Sequence, residues 1–308
     1  MKGAPERRLL LVGGAGGLVG RSVLSEFLPG WRIRSVHRSP VARERDLRVE
    51  WLRADIADPA TDWPALLTGV DAVMTLAWYR WERPRAFRDL ADGLERLLAA
   101  ARQAPRPPRF LHVSVPDGPP RLEATLPYFT EKRRVDRALA ASGLSYRILR
   151  PTMLYAPGDR LLGVMLRIAR RYHLLPMFGD GRRYHVSPIA AEDLARALRQ
   201  EAEGTGSGSS DLGGPVRYTY RELTDLVFRH LGRSPRYLPL SPSGGRRLAA
   251  LLSAAGSTLL YPYEVEWLVS DRLGLPPYEG LDRPLRHVER YLAAEAGRGV
   301  GVPGGAQA

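Results

Sequence analysis

A run of glycines near the N-terminus constrains the fold of this 308-residue chain more than any other feature. The run has the spacing G-x-x-G-x-x-G, and it lies between an apolar stretch, residues 8–12, and a helical pattern, residues 18–28. The three glycines of the pattern are Gly14, Gly17 and Gly20. A loop that leaves a buried strand and opens a helix offers main-chain N–H groups and the positive end of the helix dipole to a diphosphate. Side chains at the first two positions would keep phosphates away, and the third glycine allows close packing of helix and strand.

Short β-rich stretches alternate with helical patterns through the first half of the chain. The predicted strands are residues 8–12, 33–36, 49–52, 72–76, 110–113 and 146–149. Residues 87–101 carry leucines at three- and four-residue spacing, which is typical of a helix with one buried face. Strands separated by helices indicate βαβ units and a parallel sheet. We therefore predict an α/β fold with a Rossmann-type doubly wound parallel sheet over residues 1–156.

The second half of the chain is mostly helical in pattern. The predicted helices are residues 160–172, 191–202, 218–231, 245–255 and 285–294, and residues 204–210 are predicted to be a flexible surface loop. We expect a smaller, mostly helical C-terminal lobe over residues 157–296, interleaved with the first domain, that shapes a substrate cleft. Residues 297–308 are expected to be a disordered tail.

Composition narrows the class of protein. The chain is 44% hydrophobic and 26% charged, as folded globular proteins are. It has no cysteine, which excludes disulfides and thiolate metal sites, and its six histidines show no ligand spacing, so we expect no metal. No secretory leader is recognisable, and a reducing, cytoplasmic location is the expectation.

The net charge of +13 comes almost entirely from arginine, because Lys2 and Lys132 are the only lysines. The arginines are scattered and do not alternate with aromatic residues, so no nucleic acid partner is expected. The apolar stretch 248–261 follows Arg246 and Arg247 and is too short to span a bilayer. A packed helix is the favoured interpretation, and a helix lying on a membrane surface is the alternative.

The end of the second predicted strand bears on the choice of cofactor. Sites that prefer NAD usually place an Asp or Glu there, about 20 residues beyond the loop, to bind the ribose 2′-hydroxyl. This chain has Val36, His37, Arg38, Ser39 and Pro40, without a carboxylate. The guanidinium of Arg38 suits a 2′-phosphate, so NADP is favoured over NAD. The alternative interpretation is that Arg38 is one more solvated arginine with no role in cofactor binding.

A second motif, Y-x-x-x-K, is formed by Tyr128 and Lys132. On a helix these positions share one face, so the phenol and the ammonium point into one cleft. The ammonium is expected to lower the pKa of the tyrosine and to bind ribose hydroxyls, so that Tyr128 acts as general acid or base. The alternative is a surface tyrosine beside a solvated lysine.

With these motifs the chain resembles the short-chain dehydrogenase/reductase superfamily, in its extended and atypical branches of NAD-dependent epimerase/dehydratase and NmrA-like proteins. Further segments carry the resemblance: Ala54-Asp55-Ile56, residues 70–77, and residues 142–152, which match the SGL-x-Y-x-I-L-R-P segment of NmrA-like members. Residues 178–181, 189–195, 212–215 and 218–223 are similar to the subgroup related to the dehydrogenase-like accessory subunit of respiratory complex I.

The resemblance implies a set of site residues. The cofactor-binding residues would be Gly14, Gly17, Leu18, Val19, Gly20, Arg38, Asp55, Ile56, Leu76, Ala77, Lys132, Pro151 and Thr152, and the catalytic residues Tyr128, Lys132 and Ser114. Ser114 matches the first serine of the family's run after the fifth strand, whereas the positions usually credited with polarising the substrate carbonyl are Val115 and Pro116. The asparagine common in the fourth helix is missing, since Leu90 or Ala91 stands near its place.

Two functions follow from this resemblance. The first is an NAD(P)-dependent oxidoreductase or epimerase that moves hydride between nicotinamide and a carbinol or carbonyl of a small-molecule substrate. The alternative is a non-catalytic dinucleotide-binding protein, a redox sensor or an assembly factor associated with a respiratory complex or a membrane surface.

Overall fold

The computed structural model describes residues 7–38, 48–159 and 161–297. The first half contains β1 (Arg7–Val12), α1 (Leu18–Phe27), β2 (Trp31–His37), β3 (Val49–Arg53), α2 (Trp63–Leu67), β4 (Ala72–Thr75), α3 (Pro84–Gln103), β5 (Arg109–Val113), α4 (Pro120–Thr125), α5 (Pro127–Ala140) and β6 (Tyr146–Pro151). The second half contains β7 (Leu154–Tyr155), α6 (Leu162–Tyr172), β8 (Leu175–Phe178), β9 (His185–Val186), β10 (Ile189–Ala190), α7 (Ala191–Glu203), β11 (Gly208–Leu212), β12 (Tyr218–Thr219), α8 (Tyr220–His230), β13 (Tyr237–Leu240), α9 (Pro242–Ala254), α10 (Pro262–Val269) and α11 (Val288–Gly297).

A seven-stranded parallel sheet forms the centre of the molecule, in the order β11-β6-β5-β4-β1-β2-β3. The strand order reverses between β1 and β4, which is where doubly wound sheets open a crevice at their carboxyl ends. The predicted Rossmann-type α/β fold is confirmed.

Alternation along β1 explains why its last four residues, 9–12, are all apolar. Leu9 and Leu11 face a core shared with α1 and α7, and Leu10 and Val12 face a second core shared with α3 and α5. All four side chains are fully buried. A strand covered by helices on both faces needs apolar residues at every position.

The second half of the chain returns to the first. Helix α7 packs on α1, and β11 adds a strand to the sheet beside β6. The remaining helices enclose a separate core that includes Phe178, Tyr220 and Phe228. The division into two domains with a boundary at residues 156 and 157 stays a prediction.

The prediction of a loop over residues 204–210 was wrong from Gly208 onward, where β11 begins. This edge strand has no apolar signal because its side chains bind arginines of β6: Arg147 donates to Ser210 Oγ over 2.8 Å and Arg150 to Ser209 Oγ over 2.7 Å. Hydrogen bonds to β6 therefore stabilise a strand that begins with Gly and two Ser, residues 208–210, and shows no apolar pattern there.

Several predicted helix ends also differ. Helix α8 begins at Tyr220 because Thr219 and Glu222 form a capping box. Helix α10 was not predicted, and α11 begins at Val288, three residues after the expected start. Residue 160, the first of a predicted helix, and residues 298–308 of the predicted tail lie outside the described residues. In the described part of the chain, no helix has the length and apolar character that crossing a bilayer requires.

Candidate functional site

The glycine loop follows β1 and allows no larger residue at its three pattern positions. A Cβ at Gly14 would lie 3.0 Å from Leu76 Cβ, and Gly14 itself has a left-handed φ of 75°. A Cβ at Gly17 would lie 3.0 Å from Gly14 O, and one at Gly20 only 2.0 Å from the same oxygen. Gly16, in contrast, has no neighbour within 4 Å of its Cβ position. The loop therefore packs tightly on its inner side and is open on its outer side.

The N-terminus of α1 is prepared for an anion. Its N-cap, Gly17, offers no side-chain hydrogen bond, and no acidic residue occupies the first turn. The first amides of a helix have no partner within the helix, so the N–H groups of Leu18 and Val19 are available to phosphate oxygens. Both side chains are half-buried and the adjoining Gly16 and Gly17 are exposed. These residues fit a diphosphate.

The two basic side chains at the end of β2, His37 and Arg38, have different surroundings. His37 Nε2 lies 2.6 Å from Ser35 Oγ, its ring lies against Trp51, and burial lowers its pKa. Arg38 is exposed, and its guanidinium carbon lies 5.8 Å from the ring centroid of Tyr79, just beyond β4. His37 therefore supports the sheet, whereas Arg38 is accessible to a ligand. Ser39 and Pro40 lie outside the described residues.

Four of the predicted cofactor-binding residues, Asp55, Ile56, Leu76 and Ala77, follow the ends of β3 and β4. Asp55 Oδ1 accepts the N–H of Ala57 over 3.0 Å, which fixes the turn after β3. Ile56 is buried, and a Cβ at Gly93 of α3 would lie 1.8 Å from its carbonyl oxygen. Leu76 and Ala77 line the loop, since a Cβ at Gly13 would lie 2.5 Å from Ala77 Cβ. The fold thus brings β1, β3 and β4 together at one edge of the sheet.

Lys132 lies in α5 and is only 3% exposed. Its Nζ lies 4.3 Å from the centroid of the Trp78 ring, a cation–π distance, and it makes no hydrogen bond or ion pair with the residues that the structure describes. Burial lowers the pKa of Lys132 to about 7, against the opposing effect of the Asp136 carboxylate one turn further along. A buried ammonium without a hydrogen-bond acceptor is costly unless a ligand supplies one.

Tyr128 lies one turn before Lys132, as the motif predicts, and is half-buried. Its hydroxyl makes no hydrogen bond with the described residues. Burial raises the pKa of Tyr128, and Glu264 raises it further. The expectation that the lysine lowers this pKa was wrong, because loss of hydration is the larger effect and the nearby cations that oppose it are Arg133 and Arg80.

Aromatic rings surround the tyrosine. Its ring centroid lies 5.0 Å from that of Phe129, 5.2 Å from Tyr263, 6.3 Å from Phe87 and 6.4 Å from Trp267. Trp81 extends this cluster by stacking on Tyr261 at 5.1 Å and on Tyr263 at 6.0 Å. The name aromatic wall is used below for Trp81, Phe87, Tyr128, Phe129, Tyr261, Tyr263 and Trp267.

Arg80 holds the α9–α10 hairpin against the Rossmann half. Its Nε and Nη2 donate to the two carboxylate oxygens of Glu264 over 2.5 and 2.6 Å, and its Nη1 donates to Thr258 O over 2.7 Å. The hydroxyl of Tyr263 donates back to Arg80 O over 2.7 Å. A two-pronged Arg–carboxylate contact fixes orientation as well as distance. Arg80 and Trp81 thus anchor the hairpin, whereas Trp78 covers Lys132.

Ser114 lies in a buried polar network and is 1% exposed. Its hydroxyl donates to Asp136 Oδ2 over 2.7 Å, and Arg133 Nη1 donates to the same oxygen over 2.9 Å. The other oxygen of Asp136 lies 3.4 Å from His112 Nε2, and burial lowers the pKa of His112 to about 3, so this ring is neutral. Ser114 therefore ties β5 to α5, and its catalytic role stays a prediction. The sequence signal for Asp136, its position four residues after Lys132, was overlooked.

Pro151 and Thr152 end β6. Thr152 N donates to Leu212 O over 3.0 Å, and its hydroxyl donates to Ser187 O over 2.5 Å. Pro151 is buried and pairs with Leu212 of β11. Backbone hydrogen bonds thus fix the end of β6. The hydroxyl of Thr152 already donates a hydrogen bond within the protein.

Comparisons with known proteins agree with this geometry. A family model described as NAD(P)H-binding matches residues 14–169. A ceramide reductase from Caulobacter vibrioides is 30% identical over 263 residues, which cover 82% of this chain and 79% of that protein. The chain belongs to the NAD(P)H-binding short-chain dehydrogenases/reductases, in the extended and atypical branch. The NADH-ubiquinone oxidoreductase 40 kDa subunit of Neurospora crassa is 27% identical over 55% of this chain and 44% of its own length.

Solved structures of other proteins share the fold. A nucleoside-diphosphate-sugar epimerase from Staphylococcus aureus matches with a TM-score of 0.73 at 15% identity, over 93% of this chain and 99% of the other. An NADPH-dependent quinone oxidoreductase from Escherichia coli matches with a TM-score of 0.69 at 17% identity and the same coverage. At these identities the likeness supports the architecture alone.

Proposed function

We propose that this family member is an NADPH-dependent oxidoreductase that reduces the carbonyl, or oxidises the carbinol, of an apolar, lipid-like substrate. The observation that carries the proposal is Lys132. A buried ammonium on the Trp78 face, without a hydrogen-bond acceptor among the described residues, lies where ribose hydroxyls would provide one. The neighbouring phenol of Tyr128, which also has no hydrogen bond to the described residues, is available as a proton donor.

The residues present fit the cofactor. The N–H groups of Leu18 and Val19 would hold the diphosphate, and the exposed guanidinium of Arg38 would bind a 2′-phosphate, which favours NADP over NAD. Bound NADPH supplies the hydride for the carbonyl carbon. Gly16 and Gly17 beside these amides are exposed, and nothing lies within 4 Å of the Cβ position of Gly16.

Tyr128 would complete the reaction on the oxygen side. Burial keeps its phenol protonated at neutral pH, so it donates a proton to the carbonyl oxygen as the carbinol forms. In the opposite direction the phenolate takes the proton back. Lys132 would hold the ribose hydroxyls, while the Asp136 carboxylate one turn away favours the charged form of the lysine.

The aromatic wall indicates the substrate class. The side chains packed around Tyr128 are rings, and the charged pair beside them, Arg80 and Glu264, is already satisfied internally. Such a surface favours an acyl chain over a sugar nucleotide. The ceramide reductase supports this assignment independently, since a ceramide carries a secondary hydroxyl that hydride transfer to a ketone would produce.

Reduction of a keto-ceramide in detergent micelles tests the proposal. We expect the wild-type protein to oxidise NADPH in step with appearance of the carbinol, and Tyr128→Phe to lose at least about a hundredfold in kcat, a typical contribution of a general acid, while NADPH affinity stays within about twofold. Tyr155→Phe is the matched control, since Tyr155 is a buried tyrosine of the C-terminal core. Equal turnover by Tyr128→Phe and wild type would overturn the assignment of Tyr128.

A second candidate, non-catalytic dinucleotide binding, is favoured by the contacts of Ser114 and Tyr128. The serine hydroxyl is held by Asp136, and α10 packs over the tyrosine ring. The relative from respiratory complex I fits this alternative. Tight NADPH binding without turnover on keto-ceramide, on quinones or on sugar nucleotides would favour it over the enzyme.

A further inference from the structure

The stretch between Arg247 and Glu264 has no charged side chain, although 26% of the residues of the chain are charged. Much of this stretch is at the surface. Leu251 is 70% exposed and Leu259 is 45% exposed, and Trp81, beside them, is 47% exposed. A surface helix normally directs polar residues to solvent, so an apolar solvent face indicates contact with something other than water.

Backbone hydrogen bonds and Arg80 bring the segments that carry these apolar side chains together. Helix α9 ends at Ala254, and the chain folds back, with Ser257 N donating to Leu252 O over 2.8 Å. Arg80 then binds the carbonyls of Thr258 and Leu259, which brings this turn beside Trp81, the residue that follows Arg80. We use the name docking tip for Trp81, Leu251, Leu259 and the exposed residues 254–256 between them.

The rim of the docking tip is basic. Arg247 lies one turn before Leu251 on the same exposed face of α9, and Arg246 precedes it. Neither they nor Arg83, near Trp81, form an ion pair with the residues that the structure describes. Glu82 is the exposed acidic residue at this rim, because Glu264 is bound to Arg80. Unpaired cations around an apolar patch complement a binding partner whose outer layer is anionic and whose interior is apolar.

We propose that the docking tip binds the surface of an anionic phospholipid bilayer. Leu251, Leu259 and Trp81 would enter the interfacial layer, while Arg246 and Arg247 bind lipid phosphates. A second copy of the chain is a poorer partner, since a two-fold contact would bring the unpaired arginines of both copies together.

The docking tip adjoins the aromatic wall of the candidate site. Trp81 belongs to both the docking tip and the aromatic wall, through its stacking on Tyr261 and Tyr263. Docking would therefore place the aromatic wall at the bilayer, where an apolar substrate resides. Membrane binding itself depends neither on the cofactor nor on the reaction proposed above.

Flotation of the full chain with vesicles tests this inference. We expect the protein to float with phosphatidylglycerol-containing vesicles at low salt, and at least about tenfold less with pure phosphatidylcholine. The double variant Leu251→Asp, Leu259→Asp should lose at least about tenfold in vesicle affinity, and Arg246→Gln with Arg247→Gln about tenfold at low salt, with a weaker dependence on salt. Tyr172→Asp is the matched control, because Tyr172 is also exposed, at 67%, and lies next to Arg171 on α6. It should float as the wild type does.

Circular dichroism and thermal denaturation show that each variant is folded, and this control does not depend on the proposed cofactor. The proposal is overturned if the wild-type protein stays with the soluble fraction at low salt, or if the double aspartate variant floats equally well. It is also overturned if light scattering shows a dimer that the aspartates convert to a monomer without vesicle binding, since the docking tip would then be an interface between two copies.

Discussion

Lys132 concentrates the chemistry of the site in one residue. It is the only lysine besides Lys2, it is buried, and its Nζ rests on the Trp78 ring. A lysine in such surroundings favours its neutral form, and its pKa falls to about 7. Burial therefore prepares the Lys132 ammonium for a ligand, and it destabilises the folded protein when no ligand is bound.

Replacing this lysine should stabilise the folded chain in a pH-dependent way. Below pH 7 Lys132 is protonated in both states and its cost is fully present; between pH 7 and 10.5 the folded state alone releases the proton, so stability rises with pH. We expect Lys132→Met to raise the free energy of unfolding by about 2 kcal/mol at pH 6, with a much smaller gain at pH 10. Urea denaturation at both pH values measures this, and Arg247→Met, at an exposed site, is the control. A variant that is less stable at pH 6 would contradict the account.

At the scale of residues, the sequence predicts what depends on local geometry. The three loop glycines and the i, i+4 relation of Tyr128 and Lys132 follow from spacing alone. The hydrogen bond from Ser114 to Asp136 joins the end of a strand to a helix, and burial, to which the Tyr263 ring of α10 contributes, raises the pKa of Tyr128. Neither is visible until distant segments are brought together.

At the scale of elements, the glycine loop sets how closely α1 approaches β1. The amide at the start of the loop is fixed to the sheet, with Gly13 N donating to Val36 O over 3.1 Å. The Cβ position of Gly20 would fall 2.4 Å from Ala15 Cα as well as 2.0 Å from Gly14 O. These are backbone atoms, which cannot move aside without displacing the loop.

Two alanine substitutions in the same loop should therefore behave differently. Gly20→Ala forces α1 away from the loop, and we expect a loss of about 2 to 3 kcal/mol in stability together with the loss of NADPH binding. Gly16→Ala meets no neighbour within 4 Å and should change stability by less than about 0.5 kcal/mol. Thermal denaturation and NADPH titration of both variants check this. Equal behaviour of the two would show that the close approach at Gly20 is not required.

Prediction of elements succeeded where burial imposes a pattern. Residues 9–12 of β1 and most residues of β4 and β5 are buried on both faces of the sheet, and the alternation of strands with helices predicts that the sheet is parallel. Strand β11 is held by hydrogen bonds from Arg147 and Arg150, and α10 spans only residues 262–269, too short for a helical period to be evident. Elements stabilised by tertiary contacts leave little trace in composition.

At the scale of the whole molecule, the site depends on segments that are far apart in sequence. The loop after β1, the ends of β2 and β4, and the first turns of α5 all reach one edge of the sheet. Helix α10 reaches the same place from the other lobe, fixed by Arg80 and Glu264. A dinucleotide lying along this edge would connect Arg38 at one end with Lys132 at the other.

Calorimetric titration of the purified chain with NADPH tests this account most directly, with wild type compared to Gly16→Glu. The open space around Gly16 accepts the new side chain, and its carboxylate would compete with the diphosphate for the amides of Leu18 and Val19. We predict one NADPH bound per wild-type chain, more tightly than NADH, affinity at least about thirtyfold weaker in Gly16→Glu, and unchanged affinity in Gly16→Ala. No binding by the wild type, or equal binding by the glutamate variant, would contradict the claim that this loop holds the cofactor.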